Sequence, residues 1–496
     1  MRTPYVAIGI AAISALALSG CGSQGDEASG PDSEASVNVG LVLEPTDLDI
    51  RRTSGAALDQ VLIDNVYEGL VSRTPTGAIV DTIAASHEVS DDGLTYTFDI
   101  NDGITFHNGD ELTVDDVVWS LTQVKDDPEL RDHELLESVT EIAATDDDTV
   151  TLTLSEPDSN LLWNLSGRAG LVLDQDADND ISTTANGTGP FTLEEWKQGD
   201  SITLARNDDY WGDAAKVAEV VFVYIGDTTA GVNAALAGDL DVLTAVDPNL
   251  RGQFEGTEFT LHEGKTTDKY TLAFNNERKP LDDVRVRKAL QLAVDHAAVI
   301  DAIGGAGVEM GGPIPPLDPG YEDLTSLRPY DPEEAKSLLA EAGVEGLSLE
   351  LTVPNIYGTT VANLLVSAYK EIGVELTVNS VEFSTWLNDV YTNHDYDLSF
   401  VDHLEPRDFG NWANPDYYFG YDNADVQKLY AESVRATDPE TAEQKLADAA
   451  KIVAEDHAAD WLYNALTLTA IAEGITGFPT DSPNARLDLS SLAVTA

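Results

Sequence analysis

The chain has little cysteine and little positive charge. Among its 496 residues there is one cysteine, Cys21, and 27 Lys and Arg residues stand against 89 Asp and Glu residues, for a formal net charge of -62. A single cysteine cannot form an internal disulfide, so no disulfide framework holds the fold. So negative a surface repels a phosphate backbone, which excludes nucleic acid as a partner.

The apolar run near the amino terminus is short. Residues 5–17 are apolar enough to enter a translocon but too short to cross a bilayer comfortably. They lead into Leu18, Ser19, Gly20 and Cys21, which resemble a bacterial lipobox. The resemblance implies that residues 1–20 are a lipoprotein signal peptide and that Cys21 carries a diacyl lipid as the new first residue. An ordinary secretory peptide with an accidental cysteine is the alternative.

The segment after the lipobox has almost no large apolar residue. Residues 22–36 are rich in Gly, Ser, Asp and Glu, which predicts a flexible tether over residues 21–36 and a folded body from about Val37. A chain of 496 residues is too long for one small core, so two or more lobes are expected. The acidic residues are scattered as on a solvated surface, which disfavours contact with anionic lipid and leaves attachment to the acyl anchor.

Strand and helix patterns alternate in the second half of the chain, as in an α/β fold. Residues 347–353 read as a strand, 360–372 as a helix and 374–381 as a second strand. This spacing predicts a parallel crossover whose first loop, residues 354–357, is available to a ligand. Apolar positions at helical spacing predict one amphipathic helix within residues 282–301.

No catalytic or metal-binding motif is complete. Residues 264–266 resemble the end of a phosphate loop, but Phe259 stands where its first glycine is needed. The run that starts at Asp174 resembles a calcium loop, yet Asn179 replaces the turn glycine and Ala185 the closing glutamate. The sequence therefore predicts a protein that is not an enzyme and has no cofactor and no metal site.

Several motifs recur in an order that is typical of one family. Residues 94–121 run from Leu-Thr-Tyr-Thr-Phe through Asn-Gly-Asp to Val-Val-Trp-Ser-Leu, and shorter motifs lie at residues 65–70, 187–191 with 210–211, 284–290 and 330–335. Together they closely resemble the family 5 extracellular solute-binding proteins, which serve dipeptide, oligopeptide and nickel ABC importers. The likeness covers nearly the whole chain after the tether.

The resemblance implies an α/β, two-lobed fold like that of periplasmic binding proteins, with a hinge. Lobe I is expected to be discontinuous, comprising residues 37–268 and 467–496 with an inserted subdomain at roughly residues 68–185. Lobe II is expected to span residues 269–466. Closure of the lobes around a solute would be the signal that a permease reads.

The function that the resemblance implies is that of the substrate-binding component of an ABC importer. It would be an extracytoplasmic monomer, lipid-anchored to the outer face of the cell membrane, that captures a small solute, foremost a peptide, for a permease and ATPase complex. The alternatives are a binding protein for a nickel chelate or another cationic solute, a peptide-sensing lipoprotein and, less favoured, a secreted hydrolase.

The ligand site is expected between the lobes, where a few polar groups stand among aromatic side chains. A predicted strand over residues 396–401 leads into residues 402–419, which contain several acidic and aromatic side chains. The loop after this strand should lie beside Asn355 and Tyr357 of the crossover loop, because the carboxyl ends of parallel strands meet at one edge of a sheet.

Five side chains within residues 402–419 are candidates for ligand contact. In peptide-binding members of the family an aspartate after this strand pairs with the amino terminus of the ligand, and the resemblance implies this role for Asp408, with Glu405 as competitor. The dipeptide binders of the family also place an arginine near the crossover loop, where it takes the ligand carboxylate. The crossover loop of this chain has no arginine, and Arg407 could take its place. Salt bridges within the loop are the alternative for these three. For Trp412 and Tyr417, ligand stacking and core packing are both open.

Overall fold

The computed structural model describes residues 32–482 and 485–495. The predicted signal peptide, Cys21 and most of the predicted tether lie outside the described residues. The first strand begins at Ser36, one residue before the expected start of the folded body. Within the described part of the chain, no helix is both long and apolar enough to cross a membrane.

Strands occur along the whole of the described chain. In chain order they are β1 (Ser36–Leu41), β2 (Val71–Arg73), β3 (Ile79–Asp81), β4 (Ala84–Val89), β5 (Thr95–Ile100), β6 (Val139–Ala144), β7 (Thr149–Leu154), β8 (Phe191–Lys197), β9 (Ser201–Arg206), β10 (Glu219–Tyr224), β11 (Val242–Leu243), β12 (Phe259–Phe274), β13 (Gly307–Val308), β14 (Ser348–Pro354), β15 (Glu375–Val381), β16 (Leu398–His403), β17 (Ala459–Ala472), β18 (Ile475–Thr476) and β19 (Ala493–Val494).

Helices are most frequent in the second half of the chain. In chain order they are α1 (Ala56–Leu62), α2 (Val114–Asp126), α3 (Leu161–Leu165), α4 (Thr228–Ala237), α5 (Val284–Leu292), α6 (His296–Ala302), α7 (Pro332–Ala342), α8 (Thr360–Glu371), α9 (Phe383–Trp386), α10 (Ala424–Val434) and α11 (Pro439–Glu455). A π-helical segment, Leu387–Thr392, continues α9.

The predicted crossover is confirmed. Strands β14 and β15 are parallel and are joined by α8, and β16 lies parallel to β14 on its other side. The helix predicted over residues 282–301 is instead two helices, α5 and α6. The second one starts after Asp295, whose carboxylate accepts the backbone N–H of Ala298 at 3.1 Å. An aspartate in this position satisfies an N–H at the new helix start and favours the break.

The main sheet runs through both halves of the molecule in the order β15-β14-β16-β12-β17-β11-β1-β10-β9-β8. The long strands β12 and β17 lie antiparallel at its centre. One end of this pair is covered by buried side chains such as Leu272, Leu351 and Phe400. The other end belongs to a separate cluster that includes Val39 and Phe222. Two cores thus share one sheet, which makes the fold two-lobed.

The pairing of β12 with β17 changes register where the two cores meet. The shift falls between Lys265 and Lys269. There the buried amide of Asn464 donates to the backbone carbonyls of Thr266 at 3.0 Å and Asp268 at 2.9 Å. A side chain therefore supplies hydrogen bonds that the strand ladder does not provide at this point.

A smaller antiparallel sheet, in the order β4-β5-β7-β6, carries its own core. Helix α2 packs on this sheet, and Phe98, Leu121 and Leu152 are fully buried between them. At the start of α2 the backbone N–H of Thr113 donates to the carboxylate of Asp116 at 2.9 Å, as part of a capping box formed by these two residues. Residues of the motif at 94–121 thus build scaffold.

Three further motifs meet at the buried carboxylate of Glu68. It accepts hydrogen bonds from the Thr188 hydroxyl at 2.7 Å, the Tyr210 hydroxyl at 2.7 Å and the Trp211 indole N–H at 3.2 Å. Burial raises the pKa of Glu68 to about 7. The hydrogen bonds from these three donors act in the opposite direction, because they stabilise the ionised carboxylate. Because these contacts join segments more than a hundred residues apart, the motifs stabilise lobe I and leave the recognition of a ligand to other residues.

Candidate ligand-binding cleft

Three loops meet at the carboxyl edge of the parallel strands. They follow β14, β15 and β16. The amide of Asn355 donates to the carboxylate of Glu382 at 2.8 Å, which joins the first loop to the second. The backbone N–H of Asp402 donates to the Tyr357 hydroxyl at 3.2 Å, which joins the first to the third. The structure thus brings the crossover loop and the loop after β16 together, as their positions in the sequence predict.

Aromatic rings surround Asp402 at this edge. Tyr270 is the cross-strand partner of both Asp402 and Tyr463, so the three side chains share one face of the sheet. The Tyr270 and Tyr463 rings stack with 4.5 Å between centroids, and the Tyr357 ring meets Tyr270 edge-on at 6.0 Å. The Phe400 ring is the fourth member of the group, with its centroid 5.6 Å from that of the Tyr357 ring. We call these four rings, with Asp402, the aromatic cup.

The carboxylate in the aromatic cup is poorly compensated. Its Oδ1 atom is buried and has no hydrogen-bond partner within the described structure. Burial and the neighbouring carboxylate of Asp268 raise the pKa of Asp402 above its ordinary value, and the charge of Lys269 and a hydrogen bond with Tyr270 oppose this shift. A cation placed against Oδ1 would supply both the missing hydrogen bond and the missing charge.

Asp408, the carboxylate favoured from the sequence, already has a cationic partner. The Nζ atom of Lys269 lies 3.2 Å from Asp408, and the two side chains are 4% and 13% exposed. The same ammonium group donates to the carbonyls of Thr267 at 3.1 Å and Glu405 at 2.9 Å. Burial raises the pKa of Asp408 to about 6, although Lys269 counteracts it. This ion pair ties the loop after β16 to the register shift of β12.

Arg407 reaches from lobe II to the part of lobe I that carries the smaller sheet. Its backbone N–H donates to Asp318 at 2.7 Å, and its guanidinium donates to the Asn160 side chain at 3.4 Å. The guanidinium carbon also lies 4.0 Å from the centre of the Trp163 ring. Of the other predicted residues, Glu405 and Asn355 are exposed at the edge of the loops.

The two aromatic candidates differ in burial. Trp412 is 4% exposed and stacks on Phe419 with 4.1 Å between centroids, so it is a core residue. Tyr417 is half-buried and meets Tyr391 edge-on at 5.8 Å. No sequence pattern selects Tyr270 and Tyr463, because they lie on long strands far from residue 402 along the chain. Asp402 is the first residue of the predicted ligand-binding stretch, residues 402–419. Its position directly after the predicted strand is the sequence feature that points to it.

A cleft lies between the lobes. Lobe I contributes Arg73, Trp163, Thr267 and Arg486 to its walls, and lobe II contributes Leu317, Asp318 and Pro406. The Thr267 hydroxyl donates to the carbonyl of Leu404 at 2.9 Å, so the wall of the cleft adjoins the loop that follows Asp402. Within the described residues, no group of His, Cys, Asp and Glu side chains could hold a metal ion.

A sheet shared by two lobes with a cleft between them defines the two-lobed solute-binding class. The structure matches the ABC transporter substrate-binding protein CtaP of Listeria monocytogenes with a TM-score of 0.84 at 22% identity, over 94% of this chain and 100% of that one. The model of the bacterial extracellular solute-binding proteins, family 5 Middle, matches residues 78–429. The chain belongs to family 5 of the bacterial extracellular solute-binding proteins, whose members are binding proteins and not enzymes.

Curated relatives fall in the same family. The chain is 30% identical to heme-binding protein A of Haemophilus influenzae over 364 residues, which cover 65% of each protein. It is 29% identical to the dipeptide-binding protein of Escherichia coli over 372 residues, covering 68% of this chain and 69% of the relative. The matches thus span about two thirds of these relatives.

Proposed function

We propose that this protein captures a peptide between its lobes and delivers it to the permease and ATPase complex of an ABC importer. The observation that carries the proposal is the carboxylate of Asp402 in the aromatic cup, whose buried Oδ1 atom has no hydrogen-bond partner within the described residues, near a cleft between two lobes. A peptide offers an ammonium group for this carboxylate and side chains that pack on aromatic rings. The similarity to the dipeptide-binding protein of Escherichia coli supports the same ligand class.

The ammonium group of the peptide binds Asp402 in this proposal. Asp408 is less suitable because Lys269 already neutralises it at 3.2 Å. Glu405 is exposed, so water would screen its attraction to a cation. Tyr357 and Asn355 line the outer edge of the site, where the crossover loop meets the loop after β16.

The lobes divide, in this proposal, near the register shift of β12. Lobe II spans residues 269–466, and lobe I comprises residues 37–268 and 467–496 with the inserted subdomain at roughly residues 68–185. The separate cores on the two sides of the shift support this division. Closure of the lobes over the peptide would present the permease with a changed surface.

Attachment to the membrane is proposed from the sequence. Cys21 carries the lipid, residues 21–36 form the tether, and the folded protein works as a monomer at the outer face of the cell membrane. A short tether keeps the binding protein near its permease and raises its effective concentration there. Mass spectrometry of the membrane-extracted protein tests this: a Cys21→Ala variant should lose the acyl mass and the membrane association.

Peptide capture is expected when the protein is purified without denaturant. Mass spectrometry of material released by denaturation should reveal peptides, and titration calorimetry of the stripped protein should then show micromolar or tighter binding for members of a peptide panel. Recovery of a sugar, with no heat from any peptide, would contradict the proposal. A nickel chelate that binds while peptides do not would favour the second ligand class of the family.

Affinity for a peptide is expected to fall as the pH is lowered from 8 to 5. The ligand ammonium favours the ionised form of Asp402, so binding lowers the raised pKa of this carboxyl and releases a proton. For one linked proton the loss approaches about tenfold per pH unit below the pKa of the free protein. Calorimetry in two buffers with different ionisation enthalpies measures the proton released.

The pH experiment needs a control because other charges surround this carboxylate. Asp268, Lys269 and Glu405 all influence its titration. In the Asp402→Asn variant the pH dependence between 5 and 8 should disappear, and its affinity should lie below that of the wild-type protein at pH 8 and approach it at pH 5. An equal pH dependence in the variant would assign the linked proton to another group and contradict this role of Asp402.

A further inference from the structure

Arg73 is a cation of the cleft whose donors are uncommitted. It ends β2 in lobe I and lines the cleft between the lobes. Its guanidinium carbon lies 4.1 Å from the centre of the Trp163 ring. Within the described residues, the Arg73 side chain forms no ion pair with a carboxylate and donates no hydrogen bond. Trp163 therefore orients a guanidinium fork that has no acceptor.

The other cations near the cleft each have an acceptor already, although the buried Nε atom of Arg407 has no hydrogen-bond partner within the described residues. Arg486 lies 3.0 Å from the carboxylate of Asp64 and donates to Ser72 at 3.3 Å. Lys269 is paired with Asp408. Arg407 donates to Asn160 and lies on the same Trp163 ring as Arg73.

The cleft also contains carboxylates, and each accepts a backbone N–H. Asp481 accepts from Lys265 at 2.8 Å, Asp488 from Ser490 at 2.9 Å, and Asp318 from Arg407 at 2.7 Å. Each of these contacts occupies one carboxylate oxygen, and within the described residues none of these carboxylates forms a salt bridge with Arg73.

The cleft brings two arginines together, although its lining also contains the aspartates Asp318, Asp481 and Asp488. In a protein with a net charge of -62, most of the surface repels an anion. Arg73 and Arg486 nevertheless lie together in this cleft, and burial and the Arg486 charge lower the pKa of Arg73 to about 9, although the carboxylates of Asp64 and Asp59 offset part of this shift. Bringing like charges together in a half-buried site is unfavourable unless an anion offsets it.

We propose that Arg73, held against Trp163, binds a carboxylate of the ligand in the cleft. This inference rests on the proposed capture of a peptide, whose ammonium group would bind Asp402. It assigns recognition of the ligand carboxylate to Arg73 of lobe I, whereas the interpretation of the sequence assigns it to Arg407 of lobe II. A peptide held at its two charges would thereby contact both lobes and stabilise their closed arrangement. The carboxylate is either that of the peptide carboxyl terminus or that of an Asp or Glu side chain.

The test compares Arg73→Gln with the wild-type protein by titration calorimetry. Three forms of one bound peptide are used: the free acid, its carboxyl-terminal amide, and an amide with one glutamate added. Wild-type protein should prefer a peptide that carries the recognised carboxylate by about 10- to 100-fold, the range for a lost charge-assisted pair. Arg73→Gln should abolish this preference and leave affinity for the plain amide unchanged. Preference for the free acid identifies the carboxyl terminus, and preference for the glutamate-containing amide identifies the side chain.

A matched control removes a different cation between the lobes. Arg435 lies 2.7 Å from Glu156, outside the cleft, and both side chains are more than half exposed. Arg435→Gln should retain the preference for the carboxylate. If Arg73→Gln weakens all three forms equally, or keeps the preference, Arg73 does not bind the carboxylate. Absence of binding of any peptide to the wild-type protein would instead overturn the proposed function, and with it this inference.

Discussion

Asp402→Asn is expected to weaken the binding of a peptide with a free amino terminus by about 100-fold at pH 8, or about 3 kcal/mol. The substitution keeps the shape of the side chain and removes the charge. The Oδ1 atom is buried without a partner, so an ammonium group bound there would be largely shielded from water. Titration calorimetry with one peptide measures the loss, and a thermal melt verifies that the variant is folded.

Two other variants distinguish the carboxylates of this region. Glu405→Gln changes an exposed carboxylate and should alter affinity by less than about threefold, because water screens such a charge. An amino-terminally acetylated peptide has no ammonium group and should bind wild-type and Asp402→Asn proteins alike. If Asp402→Asn leaves affinity intact while Asp408→Asn abolishes it, the ammonium role returns to Asp408, as the sequence predicts.

Lys269→Met is expected to lower the free energy of unfolding by about 3 to 5 kcal/mol. Lys269 is 4% exposed in its side chain and pairs with Asp408, so its removal leaves a buried carboxylate without a cation. Two backbone carbonyls, those of Thr267 and Glu405, also lose their donor. Chemical denaturation followed by circular dichroism measures the change.

The control for this variant lies on the same strand. Lys265 is exposed, and Lys265→Met should change stability by less than about 0.5 kcal/mol. Replacing both partners, as Lys269→Met with Asp408→Leu, should recover part of the loss, because an apolar pair carries no unpaired charge. A double variant no more stable than Lys269→Met alone would show that the cost does not come from the stranded carboxylate.

Local patterns predicted local structure well. The crossover β14-α8-β15 follows from apolar spacing within a single segment, and the structure has it within two residues at each end. The prediction of one helix over residues 282–301 is wrong. The apolar periodicity continues across the break between α5 and α6, and the Asp295 side chain favours that break by capping α6. Capping and periodicity act in the same segment, and the pattern alone does not decide between them.

The candidate site depends on contacts between distant segments. Whether Asp408 or Asp402 is available to a ligand depends on Lys269, which lies more than a hundred residues earlier in the chain. Adjacent strand positions point to opposite faces, so His403 lies with Lys269 while Asp402 lies in the aromatic cup. Arg73 and Trp163 belong to lobe I and meet the cleft only in the folded protein. Sequence spacing carries no information of this kind.

The sharing of β12 and β17 between both cores means that neither lobe can be excised as a self-sufficient domain. A cut at the register shift would leave each half of β12 paired with its own half of β17 but would break both strands where they pass between the cores. Although separate cores lie at the two ends of the sheet, backbone hydrogen bonds join them through continuous strands. The molecule is therefore best understood as one cooperative folding unit that bends in the middle, and gene fragments that encode one lobe should not yield a soluble half.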